Sequence, residues 1–176
     1  EHILYSPWGD PHAFDLRVEA WEIKTHGMNQ RVAGLIGPRT SLLLHQLYIA
    51  SEVAPRFKPK ILLADEVGLG KTIEACLIFS ALEALGRADR VLILVPDSLL
   101  HRWTAEMYRK FDTIFTVVSE KRYREEEKTH DKNLFHTYQK IIIPLSLVVN
   151  QPRALREACK EEWDLVIVDE AHHLDW

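Results

Sequence analysis

An eight-residue segment, residues 65–72, constrains the fold of this chain more than any other feature. It reads Asp-Glu-Val-Gly-Leu-Gly-Lys-Thr and follows a short apolar run at residues 61–64. Such a run, bounded by turn residues, predicts a buried strand. After the segment, an apolar pattern with helical spacing continues to about residue 85. A glycine-rich loop between a strand and a helix is the arrangement that a phosphate-binding loop requires.

The loop carries the groups that bind phosphate. Glycines such as Gly68 and Gly70 let successive backbone N–H groups point into one nest, and the following helix N-terminus adds positive dipole. Lys71 would bring a full charge to the β- and γ-phosphates, and the Thr72 hydroxyl would ligate magnesium. The usual pattern has glycine at its first position, where this chain has Asp65. The alternative to a phosphate-binding loop is therefore a tight lysine-bearing turn that binds no ligand. The predicted nucleotide-binding residues of the loop are Asp65, Glu66, Val67, Gly68, Leu69, Gly70, Lys71 and Thr72.

An acidic box, Asp-Glu-Ala-His, stands at residues 169–172. It follows an apolar run at residues 164–168, which predicts a second buried strand of the parallel type. Ligands of open α/β sheets bind at the carboxyl ends of the strands. There Asp169 can hold magnesium and Glu170 can orient or deprotonate a water. A solvated strand end is the alternative interpretation for the box, whose members are Asp169, Glu170, Ala171 and His172.

Strand and helix patterns alternate along the chain. Strands are predicted at residues 61–64, 91–95, 114–118, 139–143 and 164–168, and helices at 42–53, 72–85, 98–111 and 152–160. This alternation predicts an α/β fold with a parallel sheet covered by helices on both faces. A charge run at residues 120–132 is typical of a solvated helix or loop. Residues 1–33, with an alternating stretch at 14–18, predict one or two strands or an extended strap.

The loop and the acidic box together resemble those of the superfamily-two helicases and translocases. The Asp-Glu start of the loop is similar to that of the Swi/Snf branch. Within this branch, the chain resembles the RapA (HepA) family of bacterial RNA-polymerase-associated ATPases, from about residue 34 to 176. The stretches that carry the resemblance are residues 34–35, 39–42, 45–47, 49–50, 71–75, 163–165 and 169–174.

The resemblance implies a RecA-like P-loop NTPase lobe that binds ATP and Mg²⁺. Residues 34–176 would be the first of two such lobes in a larger motor, truncated after the DEAH box. Residues 1–33 would be an N-terminal strap or the remnant of an upstream domain. The implied catalytic residues are Lys71 and Glu170, with Thr72 and Asp169 as metal ligands. Gln46 corresponds to the glutamine with which the family reads adenine. The alternative interpretation is that Gln46 lies on a helix surface and contacts no nucleotide.

The family also implies translocation on double-stranded DNA without strand separation, in the cytoplasm at the nucleoid. Ser98, Arg102 and Ser146 are the candidate contacts to the DNA backbone. Ser98 would also cap the next helix, and Arg102 as a solvent-facing arginine is the alternative. We expect Trp103, in the same segment, to be a packing anchor.

The resemblance further implies two protein partners, RNA polymerase and the second RecA-like lobe of the same parent. Since that second lobe supplies catalytic arginines, we expect the isolated fragment to be nearly inactive. Two other functions remain open. One is the translocase arm of a DNA-defence or modification system, and the other is a nucleotide-sensing scaffold that does not hydrolyse ATP.

Composition and charge indicate the broad class of protein. Hydrophobic residues make up 47% of the 176 residues, which is typical of a globular protein. The net charge is −4, whereas many DNA-binding proteins carry an excess of basic residues. A local basic groove is still compatible with this net charge. Cys76 and Cys159 fall in predicted helices without metal-ligand spacing, which predicts two free buried thiols. No signal peptide or membrane span is predicted.

Overall fold

A parallel four-stranded sheet forms the centre of the fold. The computed structural model describes residues 15–19, 35, 38–39, 43–64, 66, 68–129 and 133–173. Neighbouring strands pair in the order β2-β3-β1-β4, and every pair is parallel. The strands are β1 (Val91–Val95), β2 (Thr116–Val117), β3 (Lys140–Pro144) and β4 (Leu165–Val168).

Two of the numbered helices precede β1, and the others connect the strands. The helices are α1 (Leu44–Val53), α2 (Lys71–Ala84), α3 (Leu100–Phe111), α4 (Glu120–Thr129), α5 (Leu134–Thr137), α6 (Leu145–Asn150) and α7 (Pro152–Ala158). Two 3₁₀ turns, Asp97–Leu99 and Ala171–His173, follow β1 and β4. The predicted α/β fold with a parallel sheet is therefore confirmed.

The two faces of the sheet pack against different helices. On β1, Val91, Ile93 and Val95 point into a core shared with α1, α2 and α3. Leu92 points to the opposite face, into a core shared with α4, α5, α6 and α7. This division follows from the two-residue period of a strand, which sends successive side chains to opposite faces. Helices thus cover both faces, as the sequence predicts.

The predicted strand at residues 61–64 is wrong, because this segment does not pair with the sheet. Its Leu62 side chain is 79% exposed. An apolar run forms a strand only where its backbone groups meet a partner, and no described strand pairs with residues 61–64. The predicted full burial of β4 is also wrong, since Val166 is 49% exposed.

The alternating stretch at residues 14–18 is not a strand in its described part. Residues 15–19 are helical, and both Leu16 and Val18 are exposed. Five residues are too few to distinguish the two-residue period of a strand from the 3.6-residue period of a helix. The strand predicted from this pattern is therefore wrong. The remaining residues between 1 and 34 lie outside the described part of the chain.

The charge run forms a solvated helix, α4. Three ion pairs of i,i+4 spacing lie along it, between Lys121 and Glu125, Arg122 and Glu126, and Glu120 and Arg124. Tyr123 is 3% exposed and packs into the core below. Tyr123 thus anchors the helix in the core, and Arg122 adds hydrogen bonds to the Val117 carbonyl and the Tyr138 hydroxyl.

Several element bounds differ from the predictions. The strand predicted at 114–118 is only two residues long, and the helix predicted from residue 98 begins with a 3₁₀ turn. Helices α5 and α6 were not predicted, because four to six residues give too little periodicity to detect. None of the described helices has the length and apolarity to cross a membrane.

The two cysteines differ in exposure. Cys76 is completely buried in α2, as predicted, whereas Cys159 is exposed at the end of α7 and contradicts the prediction. Burial raises the pKa of the Cys76 thiol, and the negative charges of Glu106 and Asp169 raise it further. The Cys76 thiol therefore stays protonated in the folded state at physiological pH.

This raised pKa predicts a loss of stability in alkali. The thiol has an ordinary pKa of 9.0, so above that pH only the unfolded chain releases the proton. Stability should then fall by about 1.4 kcal/mol per pH unit from this group. Urea unfolding of Cys76→Ala between pH 8 and 10.5 should show a shallower decline than wild type. Cys159→Ala is the matched control and should keep the wild-type slope, and equal slopes in all three proteins would contradict the prediction.

Candidate nucleotide site

The predicted phosphate loop passes directly into helix α2. Gly68 and Gly70 have φ angles of 97° and 88°, a region that glycine adopts without steric cost. Gly70 is the residue before the helix, and its carbonyl accepts from the N–H groups of Ile73 and Glu74 at 2.7 and 3.1 Å. The helix predicted after the loop is therefore present and begins at Lys71. Asp65 and Val67 lie outside the described residues.

The side chain of Lys71 folds back onto its own loop. Its Nζ donates to the carbonyl oxygen of Glu66 at 3.2 Å, and the same oxygen accepts from the N–H of Leu69 at 3.4 Å. A phosphate oxygen is a stronger acceptor for an ammonium group than a neutral carbonyl. Lys71 is thus held beside the loop by a contact that an anion can replace.

Gln46 is buried against the loop and is not on a helix surface. Its side chain is 3% exposed. The Nε2 atom donates to the carbonyl of Leu69 at 3.0 Å, and Oε1 accepts from the N–H of Leu43 at 3.4 Å. This amide ties the first turn of α1 to the glycine loop. The surface alternative for Gln46 is therefore wrong, and the residue lies against the loop.

A second link between α1 and α2 was not predicted. Glu74 is completely buried in the first turn of α2, and its Oε1 lies 3.5 Å from Nε2 of His45. An acid in a first helical turn is favoured by the helix dipole, which is a sequence signal for this residue. The neighbours His45 and Gln46 thus both fix α1 to the start of α2.

The carboxylate of Asp169 is held at the carboxyl end of β4. Its backbone N–H donates to the carbonyl oxygen of Leu94 in β1 at 2.9 Å and so continues the hydrogen bonding between β4 and β1. Its Oδ2 accepts from Nε1 of Trp103 at 2.7 Å, and its Oδ1 accepts from the N–H of Glu170 at 2.9 Å. Trp103 is 2% exposed and belongs to the core, as predicted, but its bond to Asp169 was not predicted.

Glu170 has an unusual backbone. Its φ is 51°, a left-handed conformation that costs a non-glycine residue about 1–2 kcal/mol. Strained residues of this kind concentrate at functional sites. Its side chain is 45% exposed, and its Oε2 lies 3.2 Å from Nδ1 of His172. The sequence gives no sign of this conformation.

Helix α2, which follows the loop, lies in the same core as Trp103, the residue that holds Asp169. Cys76, one turn beyond Thr72 in α2, is close enough to Asp169 for that charge to raise its pKa. The Thr72 hydroxyl and the Asp169 carboxylate offer hard oxygen ligands. Mg²⁺ prefers such ligands and usually takes one or two of them beside phosphates and waters. The residues therefore fit Mg²⁺, and the described chain has no cluster of three or more His, Cys, Asp or Glu for another metal.

Two of the three candidate DNA contacts lie in adjacent segments. Since β1 and β3 are parallel neighbours, the turn after β1 meets the start of α6, and Ser146 Oγ donates to Asp97 Oδ1 at 2.6 Å. Ser98 is exposed in that turn, and the predicted cap is wrong because Leu99 precedes α3 without a side-chain cap bond. Arg102 faces solvent, and its Nε pairs with Glu106 Oε1 at 3.2 Å.

The sheet, its two helical layers and the loop at the start of α2 define a RecA-like α/β lobe. Residues 24–175 match the sequence model of the SNF2-related domain, and the chain therefore belongs to this family. The Swi/Snf resemblance of the motifs is confirmed at the level of the family.

A solved structure shows the same fold. It is the Sulfolobus solfataricus SWI2/SNF2 ATPase core in complex with dsDNA, which matches with a TM-score of 0.59 and 22% sequence identity. The match covers 77% of this chain and 27% of that chain. This chain thus corresponds to roughly a quarter of the solved core.

The contact between Gln46 and the loop makes a prediction about Gly70. A Cβ at Gly70 would lie 2.7 Å from Gln46 Nε2, whereas one at Gly86, which also has positive φ, would meet nothing within 4 Å. Both glycine-to-alanine changes should cost about 1–2 kcal/mol of unfolding free energy from the backbone. Gly70→Ala should lose about 1 kcal/mol more, because it displaces the amide from Leu69.

The test is a double-mutant cycle by urea unfolding. In a Gln46→Ala background the extra cost of Gly70→Ala should disappear, while Gly86→Ala should cost the same in both backgrounds. An unchanged extra cost of Gly70→Ala without the glutamine would show that the two residues are not coupled.

Proposed function

We propose that this chain is the ATP-binding lobe of a Swi/Snf-type motor that hydrolyses ATP to translocate on double-stranded DNA. One observation carries the proposal. The glycine loop leads into α2, which shares one buried core with Trp103, and Trp103 holds the carboxylate of Asp169 at the carboxyl end of β4. Loop and acid are the two parts that phosphoryl transfer from a nucleotide requires.

The loop binds the nucleotide in this proposal. Its residues 65–72 wrap the phosphates with backbone N–H groups, and Lys71 exchanges the Glu66 carbonyl for the β- and γ-phosphates. Gln46 already contacts the loop through its Nε2, and its amide can both donate to and accept from an adenine edge. Thr72 and Asp169 hold Mg²⁺ beside the phosphates.

Hydrolysis then depends on Glu170. Bound Mg²⁺ would neutralise charge that develops on the transferring phosphate. Glu170 stands next to Asp169 with a half-exposed carboxylate, so it can reach a water and accept its proton. The strained backbone of Glu170 fixes the direction in which the side chain leaves the strand end. Lys71 stabilises the negative charge of the phosphates through the reaction.

A second RecA-like lobe of the parent protein completes the site. Arginines from a partner element are worth about 10³–10⁵ in rate in phosphoryl transfer, so this lobe alone should be nearly inactive. We assign residues 34–176 to the first lobe and 1–33 to a strap or an upstream remnant. Double-stranded DNA would contact Ser98, Arg102 and Ser146 at the edge that carries the turn after β1.

The specific role that we propose is remodelling or recycling of RNA polymerase on DNA at the nucleoid. The support for this role is the motif resemblance to the RapA family, in the loop and helix at residues 71–75 and before β4 at 163–165. The parent protein would then respond to the polymerase as well as to DNA.

Two substitutions in the full-length protein separate binding from hydrolysis. Lys71→Ala should abolish ATP binding and turnover, because the phosphates lose their charged partner. Glu170→Gln should bind ATP normally and lower kcat by about 10²–10⁴, because an amide does not accept the proton. The measurements are equilibrium ATP binding and steady-state hydrolysis.

Matched controls for these variants are Lys121→Ala and Glu162→Gln. Lys121 is 85% exposed on α4, and Glu162 is exposed before β4. Both controls should bind and hydrolyse ATP as wild type does. Normal turnover by Glu170→Gln would show that the assignment of the water-activating acid is wrong.

The proposed partners make a separate prediction. ATP hydrolysis by the full-length protein should rise at least about tenfold on adding double-stranded DNA, RNA polymerase or both, because a partner is needed to close the two lobes. Strong stimulation by DNA alone would place the motor on bare duplex and argue against the polymerase role. Stimulation that requires the polymerase would support it, and no response to either would contradict the translocase proposal.

A further inference from the structure

The indole of Trp103 is buried in the core, yet its one polar atom points at the acidic box. Trp103 is 2% exposed in the core under α2 and α3. Its Nε1 donates to Asp169 Oδ2 at 2.7 Å across 66 residues of sequence. A hydrogen bond to an ionised carboxylate is shorter and about twice as strong as a neutral one.

The two oxygens of Asp169 are both engaged but not saturated. Oδ1 accepts from the N–H of Glu170 at 2.9 Å, opposite the indole bond at Oδ2. These two donors fix the rotation of the carboxylate at the end of β4. Each carboxylate oxygen has two lone pairs, so each oxygen keeps one for a metal ion or a metal-bound water.

We propose that Trp103 is a positioning residue that sets the affinity of the nucleotide site for Mg²⁺ by orienting Asp169. This inference rests on the proposed function, in which Asp169 holds the metal. Groups that hydrogen-bond to metal ligands typically change metal affinity about 10–100-fold when they are lost. A phenylalanine at position 103 would fill most of the core volume but would leave Oδ2 without its donor.

A matched tryptophan serves as the control. Trp163 is half-buried in the opposite core, and its Nε1 donates to the backbone carbonyl of Ala158 at 2.9 Å. Trp163→Phe therefore makes the same chemical change and also removes an indole hydrogen bond, but it does so on the other face of the sheet. Any effect of reduced packing alone should appear in both variants.

The experiment measures binding of a non-hydrolysable ATP analogue to the full-length protein in saturating Mg²⁺ and in EDTA. Trp103→Phe should bind like wild type in EDTA and should lose about tenfold or more of the gain in affinity that Mg²⁺ provides. Trp163→Phe should keep the full gain. Equal weakening of Trp103→Phe with and without Mg²⁺ would mean a packing role and would overturn the inference.

The other outcomes are also distinct. If wild type gains affinity from Mg²⁺ and Trp103→Phe keeps that gain, this inference fails while the proposed function stands. If wild type binds no analogue under either condition, both fail.

A second measurement does not require the Trp103 variant to fold. In the ¹⁵N–¹H spectrum of the full-length protein, Asp169→Asn should move one indole N–H resonance, because the charged acceptor is lost. The resonance of Trp163, assigned through Trp163→Phe, should stay in place. A spectrum in which Asp169→Asn moves no indole resonance would overturn the inference without any use of nucleotide.

Discussion

Parallel pairing of β1 with β3 and β4 is the constraint on which the rest of the structure depends. Because all carboxyl ends then meet at one edge, residues that follow different strands become neighbours. Asp97 after β1 bonds to Ser146 after β3, and Asp169 after β4 bonds through its backbone to Leu94 of β1. Asp97, Ser146 and Asp169 lie at this edge because parallel pairing brings the carboxyl ends of β1, β3 and β4 together.

The glycine loop is fixed by helices and not by a strand. Gln46 bonds to the loop, and His45 pairs with Glu74 at the start of α2, so α1 supports the phosphate-binding segment from one side. Trp103 supports Asp169 from the core. The geometry of the site thus depends on three buried side chains that belong to neither motif, Gln46, Glu74 and Trp103. Lys71 stays held to Glu66 by a bond that a phosphate can replace.

The sequence predicts elements well where periodicity and burial agree, as in Val91–Val95, whose side chains are buried on both faces of the sheet. It fails at residues 61–64, because an apolar run does not specify its pairing partner. The loop and the box are readable because both motifs are local. The burial of Gln46 and the bond between Trp103 and Asp169 both depend on contacts between residues far apart in the chain. No local sequence pattern therefore predicts them. The exposure of Cys159 depends in the same way on which face of α7 meets the core.

The most direct test of the account is a structure of the full-length protein with Mg²⁺ and a non-hydrolysable ATP analogue. We expect phosphates at the start of α2, with Lys71 Nζ moved from the Glu66 carbonyl to a phosphate oxygen. We also expect Asp169 to face the metal while its bond to Trp103 persists. A nucleotide bound elsewhere, or bound while Lys71 still contacts Glu66, would contradict the assignment of this edge as the ATP site.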